Sequence, residues 1–569
     1  MFDIETLLLQ RYPRWGIKQP LFAKPVLVGL RRLFREKELR QLELDDPNLE
    51  GFDFVEKVLD YFAFDYRLRD QQWRRIPAQG RVVIVANHPI GTLDGLALLK
   101  LVRKVRPDVK VVANNVLAAV TPLQPVILPV DNMNGRTTRK CLTDIRLFLE
   151  NEGALIIFPA GAVSRLGPNG VCDGQWQHGF LRIASACAAP VLPVHIDGRN
   201  SAFFYALSFL AKPLSTLWLF REMFKQAQRC VDIRIGELIS YKAYRRINLP
   251  LRDKAALFKQ HLYRVGNGEP GIFSTIEALA NPESRIQLSN EILLCELLGE
   301  TKDNKQIYLY KYQPDSCVMR EIGRLRELSF RAVDEGTGQD RDLDNYDQHY
   351  FHLVLWDNEA QEIAGAYRLR EARNANASKT CSHLYSASLF DFSPGMNLYF
   401  ERGLELGRSF IQPKYWGNRS LDYLWCGVGM FLRKYPEYRY LFGPVSLSDA
   451  YPAPAKDMLI FFYQRHFKTL QSLASARQPY LIAPQSQATL AQQFPGVAYR
   501  EEFARLKQNL AEMNLKVPPF YKQYSELCDP GGVQFAAFNI DTAFADCVDG
   551  LVVVDLARLK PARRKRYLG

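Results

Sequence analysis

Residues 82–95, VVIVANHPIGTLDG, decide the architecture of the first half of the chain. An apolar, β-branched run ends at Asn87 and His88, the chain turns at Gly91, and a helix begins near Asp94. Reactive side chains gather at such strand ends in α/β sheets. Working outward, the apolar runs KVVAN (110–114), ALII (154–157), APVLPVHI (189–196) and VDIRIGELI (231–239) alternate with helical stretches such as GLALLKLVRKV (95–105) and TRKCLTDIRLFLENEG (138–153). That alternation predicts an α/β domain with a central sheet over residues 81–265.

HPIGTLD also carries chemistry. Neutral imidazole is suited to taking a hydroxyl proton near neutral pH. A carboxylate on its other nitrogen fixes one tautomer, and Asp94, brought back by the turn, is placed to supply it. An isolated His and Asp at this spacing more often cap a helix and solvate a turn. Three later segments decide against that reading: KVVANNVLAAVTPLQPVILPVD, ALIIFPAGAVSR and APVLPVHIDG follow in an order that fits one sheet.

Together these segments resemble the lysophospholipid/glycerolipid acyltransferase superfamily over roughly residues 80–240. The resemblance rests on His88 with Asp94, Arg136 within GRTTR, the run Phe158, Pro159, Ala160, Gly161, and Leu192, Pro193, Val194. It implies that His88 and Asp94 are catalytic. It assigns Asn87, Gly91, Arg136, Phe158, Pro159, Gly161 and Ser164 to substrate binding; Gly161 and Ser164 read either as donors aimed at an oxyanion or acyl carbonyl or as a structural turn. Two departures point to the branch of putative hemolysins and bifunctional ornithine-lipid synthases. Five residues separate His88 from Asp94 where the family has four, and Ala160 replaces a glutamate that helps bind glycerol phosphate. A lyso-amino-acid lipid is the better acceptor on this reading.

The C-terminal half presents RLRELSFRAV (324–333), DRDLDNYDQHY (340–350), IAGAYRLR (363–370) and FERGLELGRSFI (400–411). Taken singly they read as solvated loops and strand-edge charges. As an ordered set they resemble the acyl-homoserine-lactone synthases, within the Gcn5-related N-acyltransferase class. The matching residues are Arg326, Phe330, Asp342, Asp344, Asp347, Arg368, Glu405 and Arg408. The resemblance implies Glu405 as the base that deprotonates an amine. It implies that the aspartate trio holds an ammonium and that Arg368 holds a carboxylate. A phosphate-cradling Gln/Arg-x-x-Gly-x-Gly/Ala loop is not apparent, which favours an acyl carrier protein thioester as donor, with acyl-CoA as the alternative. No bound cofactor or metal is expected.

The rest of the chain sets the frame. At 569 residues several domains are expected. An α/β domain followed by an α+β domain over residues 288–569 fits, with a Gly-, Pro- and Asn-rich linker at 266–287 and a helical, basic, membrane-proximal segment at 1–80. The 74 basic against 61 acidic residues give +13, an attraction for anionic partners. The ten cysteines form no C-x-x-C pair, which argues for free thiols in a reducing setting. The sequence MFDIETLLLQRYPRWG lacks a secretory pattern, and no long wholly apolar run occurs. SAFFYALSFLAKPLSTLWLF (201–220) reads either as a buried helix pair or as an interfacial segment. With the basic tail ARLKPARRKRYLG it suggests peripheral attachment to an anionic membrane, at the cytoplasmic face of the inner membrane. Nucleic acid binding has only charge to support it and is not expected.

The whole therefore resembles a bifunctional ornithine-lipid synthase. Its C-terminal half would N-acylate ornithine with a 3-hydroxyacyl group, and its N-terminal half would esterify that hydroxyl. Glycine as the amino acid and lyso-phospholipid acylation are alternatives of the same class; a membrane-active hemolysin is the alternative of another.

Overall fold

The computed structural model describes residues 27–569, apart from residues 30, 33, 34, 45, 47, 70, 119, 131–138, 168, 169, 211, 374–380 and 470. The chain divides into two units, Met1–Ala278 and Leu279–Gly569.

In the first unit the strands are β1 (Asp65–Leu68), β2 (Val82–Ala86), β3 (Lys110–Asn114), β4 (Ile127–Val130), β5 (Ala154–Ile157), the small hairpin β6 (Arg165–Gly167) and β7 (Gly170–Cys172), β8 (Val191–Asp197) and β9 (Cys230–Ile235). Seven of them form one sheet in the order β1-β9-β8-β2-β5-β3-β4. Neighbours run parallel except β8 and β9. Successive side chains of a strand point to opposite faces. Val82, Ile84 and Ala86 of β2 therefore join one core with Leu93 and Leu96, while Val83 and Val85 join the other with Phe180 and Phe258. Burial on both faces is why β2 is an unbroken apolar run and not an alternating one.

Two boundaries differ from those expected. Residues 51–80 are not a separate helical segment. The helix Gly51–Tyr61 buries Phe54, Val55 and Leu59 in the first core, and β1 pairs in parallel with β9 from Asp65↔Cys230 to Leu68↔Ile233. This edge strand, DYRL, has no fully buried position; Tyr66 and Leu68 alternate onto the first core, but four residues are too short a run to stand out in the sequence. The linker is also shorter than 266–287. Leu238 and Ile276 exchange backbone hydrogen bonds, and His261 Nδ1 accepts the Ile272 and Phe273 N–H groups at 2.9 and 3.2 Å. The Gly- and Pro-rich stretch is thus tied down to residue 276, and the helix Arg285–Ile292 opens the second unit.

The second unit contains β10 (Glu296–Glu300), β11 (Lys305–Lys311), β12 (Phe351–Asp357), β13 (Glu362–Glu371), β14 (Phe390–Phe392), β15 (Gly403–Ile411), β16 (Tyr440–Leu447), β17 (Ala474–Ala476), β18 (Val533–Asp541) and β19 (Cys547–Asp555). Eight form a sheet ordered β10-β11-β12-β13-β15-β16-β19-β18. Its one parallel pair, β15 with β16, lasts only from Gly403↔Tyr440 to Glu405↔Phe442. Beyond that point β15 stays with β13 as far as Ile411, and β16 stays with β19 as far as Leu447. The two strands part inside the sheet.

The basic tail is a helix, Pro561–Tyr567, seated on the unit and not a free polybasic anchor. Arg566 Nε donates to Asp422 Oδ1 at 2.9 Å, Arg564 donates to the Leu556 carbonyl at 2.9 Å, and Arg563 lies 3.3 Å from Glu526.

Gly443 stands where β15 and β16 begin to separate, and a Cβ there would collide with the Leu406 carbonyl. Gly443→Val should destabilise the protein by about 1–3 kcal/mol through overpacking. Urea unfolding checks this, and an unchanged midpoint would mean that the strand junction is not held this tightly.

Candidate active sites

The helix Thr92–Arg103 starts just past the carboxyl end of β2, with Asp94 fully buried in its first turn. Asp94 Oδ2 accepts the Ile90 and Gly91 N–H groups at 2.8 and 3.2 Å. Donors at a helix start otherwise lack partners, so backbone fixes the carboxylate before any side chain does. Gly91 makes the turn at φ 128°, a conformation that L side chains rarely adopt. Asp94 Oδ1 then stands 2.9 Å from His88 Nδ1.

His88 is gripped around its ring and backbone. Its N–H donates to Asp173 Oδ1 at 3.2 Å, its carbonyl accepts the Ser164 N–H at 2.8 Å, and its ring lies against Phe158 with centroids 4.3 Å apart. Among the described residues, Nε2 has no hydrogen-bond partner, and the side chain keeps 20% exposure. Nε2 is therefore the ring nitrogen left open to an incoming group. Burial disfavours the imidazolium, but the Asp94 charge and hydrogen bond, with a smaller contribution from Asp173, outweigh it and raise the His88 pKa.

Other residues assigned to substrate binding do structural work. The Asn87 amide donates to the Ile196 carbonyl and accepts the Ile196 N–H, at 2.8 and 2.7 Å, locking the end of β2 to β8. Ser164 Oγ donates to Asp173 Oδ1 at 2.5 Å, and the Gly161 N–H is taken by the Phe158 carbonyl. The proposed oxyanion donors are therefore spent within the loop. Gly161, at φ 62°, and Pro159, whose carbonyl accepts the Gln177 N–H, shape the turn after β5 beside Phe158. Arg136 lies outside the described residues. Two brackets had no motif to announce them. Asn200 Nδ2 donates to the Pro89 and Ile90 carbonyls, and buried Asp173 ties Ser164, Trp176 and the His88 backbone together.

In the second unit the three aspartates lie against arginines. Arg326 donates to Asp347 Oδ1 at 2.8 Å; Arg368 Nη1 reaches both Asp344 oxygens at 2.8 and 2.9 Å and Asp347 at 3.1 Å; Arg408 Nε lies 3.3 Å from Asp342. The residues expected to hold an ammonium and a carboxylate are thus paired with one another here. Buried charge is tolerated when it is paired. His352 sits inside this cluster, and burial together with Arg326 pushes its pKa down to about 4.

Glu405 is not placed as a base either. Its Oε1 accepts the Ser386 N–H at 2.7 Å, its Oε2 accepts the Tyr350 hydroxyl, and its side chain is buried. Burial raises its pKa, and those donors offset this only in part.

The opening between β15 and β16 is a cavity of about 800 Å³. Of the predicted residues, Phe330 and Arg408 line it. Arg408 takes φ 49°, a strained value for a residue with a side chain, and its guanidinium lies over Phe544 and Tyr385 at 4.3 and 4.8 Å from the ring centroids. Tyr385, Ser446 and Asp549 are among its polar lining residues. The signal for Asp549 was a carboxylate placed before the apolar run GLVVV inside the strand CVDGLVVVD.

Residues 10–268 match the family described as Acyltransferase, and residues 325–426 match the acetyltransferase (GNAT) domain. The chain is an acyltransferase built from an α/β acyltransferase unit and a GNAT-like unit. It is 30% identical over 306 residues to a glycine N(alpha)-acyltransferase of Bacteroides thetaiotaomicron, covering 52% of this chain and 90% of that protein. With that coverage, the chain belongs to the family of these N-acyltransferases. A lyso-glycine lipid O-acyltransferase of Phocaeicola vulgatus is 27% identical over 257 residues, covering 44% of this chain and 90% of that protein. An L-ornithine N(alpha)-acyltransferase of Brucella abortus is 33% identical over 179 residues, covering 26% of this chain and 60% of that protein.

NMR titration of the imidazole should place the His88 pKa above the ordinary 6.5. Asp94→Asn removes the stabilising charge and should move it down. A His88 pKa unmoved by Asp94→Asn would show that the 2.9 Å contact is not the source of the shift.

Proposed function

We propose that the chain makes a doubly acylated amino-acid lipid in two steps. The GNAT-like unit joins a 3-hydroxyacyl group to the α-nitrogen of an amino acid, and the acyltransferase unit then esterifies the 3-hydroxyl. The observation that carries the reading is the His88–Asp94 pair, with Nε2 free to take a proton from a neutral hydroxyl. An amino acid such as glycine or ornithine has no hydroxyl, so amide formation comes first.

Similarity to both an N-acyltransferase and an O-acyltransferase, over 52% and 44% of the chain, supports both steps in one polypeptide. Glycine is the favoured amino acid, because the glycine relative is matched over 90% of its length and the ornithine relative over 60%. Ornithine is the second reading, favoured by the higher identity of that shorter match, 33%. An acyl carrier protein thioester is the proposed donor on the strength of the missing phosphate-binding loop. Acyl-CoA as an equal substrate in a direct comparison would remove that preference.

Peripheral attachment to the cytoplasmic face of the inner membrane completes the reading. Among the described residues no helix is long and apolar enough to cross a membrane. Phe203 and Phe209, on the helix Ala202–Leu210, are 53% and 81% exposed, with Arg221 and Lys225 on the helix that follows. Apolar insertion beside basic residues suits an anionic bilayer.

Expression in a heterologous bacterium, followed by lipid extraction and mass spectrometry, should give a diacylated glycine lipid. His88→Ala should cut the ester-forming rate by about two to four orders of magnitude and leave the mono-acyl amide to accumulate. Undiminished diacyl product from His88→Ala would overturn the assignment. Phe203→Ser with Phe209→Ser should weaken sedimentation with anionic vesicles. Because the tail is docked, removing its last residues should not do so as strongly.

A further inference from the structure

The parting of β15 from β16 leaves a cavity whose wall is largely apolar, with Phe410, Ile411, Val445 and Phe544 among its lining residues. Such a wall suits an acyl chain. An amine acylated there must also give up a proton, and Glu405 is held away from the task by Ser386 and Tyr350. Asp549 differs. It lines the cavity from β19, and Ser446 Oγ of β16 donates to its Oδ1 at 2.6 Å.

We propose that Asp549 is the group that takes the proton from the amino-acid nitrogen in the N-acylation step. The assignment rests on the reading of the second unit as an N-acyltransferase. Asp549 lies outside residues 325–426, the segment that matches the GNAT domain. In the step, the substrate ammonium gives one proton to the Asp549 carboxylate. The neutral amine then attacks the thioester carbonyl carbon of the acyl donor, and a C–N bond forms. Collapse breaks the C–S bond, the nitrogen's second proton goes to the departing sulfur, and a thiol leaves. Protonated Asp549 releases its proton to water.

The surroundings of Asp549 suit this task. Burial comes first and the nearby Asp541 carboxyl of β18 second; together they push Asp549 up to about 7, with Ser446 and Arg408 acting in the opposite direction. Asp541 itself is oriented by the Tyr385 hydroxyl, which donates to its Oδ2 at 2.7 Å, and by the Ala543 and Phe544 N–H groups. Tyr385 and Tyr521 also face Asp549. The cation in this company, Arg408, is already set against Asp342 and Asp344.

The test is amide formation by the full-length chain from glycine and a 3-hydroxyacyl thioester, with kcat/KM followed from pH 5.5 to 9. The wild-type profile should rise with an apparent pKa near 7. Asp549→Asn should lower kcat at neutral pH about a hundredfold or more and abolish that limb, with KM for the thioester little changed. Asp549→Glu should restore part of the rate. Asp541→Asn keeps the proposed base, removes the neighbouring negative charge, and should move the limb to lower pH. That second variant also decides the matter if Asp549→Asn does not fold. Asp549→Asn with kcat within threefold of wild type and the same limb would overturn the assignment alone, as would an unmoved limb in Asp541→Asn. Wild-type protein that forms no amide from any amino acid would overturn the N-acyltransferase reading and the assignment with it.

Discussion

Burying a carboxylate in a protein interior costs several kcal/mol unless something answers its charge, and both units are organised around how that cost is met. Asp94 is answered by the N–H groups of Ile90 and Gly91 at a helix start and by His88. Asp344 and Asp347 are answered by Arg326 and Arg368, which themselves need counter-charges because both are buried. Glu405 is answered by an amide and a hydroxyl. Each solution assigns a different capacity. Asp94 can orient a base, the arginine-bound aspartates can only hold loops and strands together, and Glu405 is closed off by its own donors.

The sequence is legible where chemistry and backbone coincide in a short window. HPIGTLD holds the base, the turn glycine and the orienting carboxylate within one strand-turn-helix, so its geometry follows from local rules. It failed where the partner is remote. Nothing near Asn87 says that its amide will clasp Ile196, and nothing near Ser164 says that Asp173 will claim its hydroxyl. In the second unit the residue types were right and the roles were not. Arginines and aspartates spaced along the chain look the same whether they wait for a ligand or for each other, and only the fold brings Arg326, Arg368 and Asp347 into one cluster. The strand β1 was missed for a different reason. As a four-residue edge strand with half-exposed side chains, it draws its place from backbone pairing with β9, and its alternation of Tyr66 and Leu68 with polar residues is too short to stand out.

The two proposed reactions ask different things of a base, and the two proposed sites differ accordingly. A hydroxyl is neutral when it arrives, so its proton need only be taken as the new bond forms. An imidazole held in one tautomer, with Nε2 facing out, serves that demand. An amino acid brings an ammonium, and the proton must leave before nitrogen can attack. The α-ammonium of a free amino acid titrates well above neutrality, so a carboxylate at its ordinary value of about 4 is a weak base toward it, and each unit by which that carboxylate is raised removes about 1.4 kcal/mol of the deficit. Raising a carboxylate toward neutrality requires burial beside another carboxylate and no cation of its own. Pairing with arginines works the other way and holds Asp347 below the usual carboxylate range. The cavity between β15 and β16 sets Asp549 beside Asp541 in this way, while the arginines nearby are already committed to the other aspartates. The ion pairs that tie Arg408 to Asp342 and Asp344 are what keep that cation from answering the Asp549 charge in full, as the proposed role of Asp549 requires.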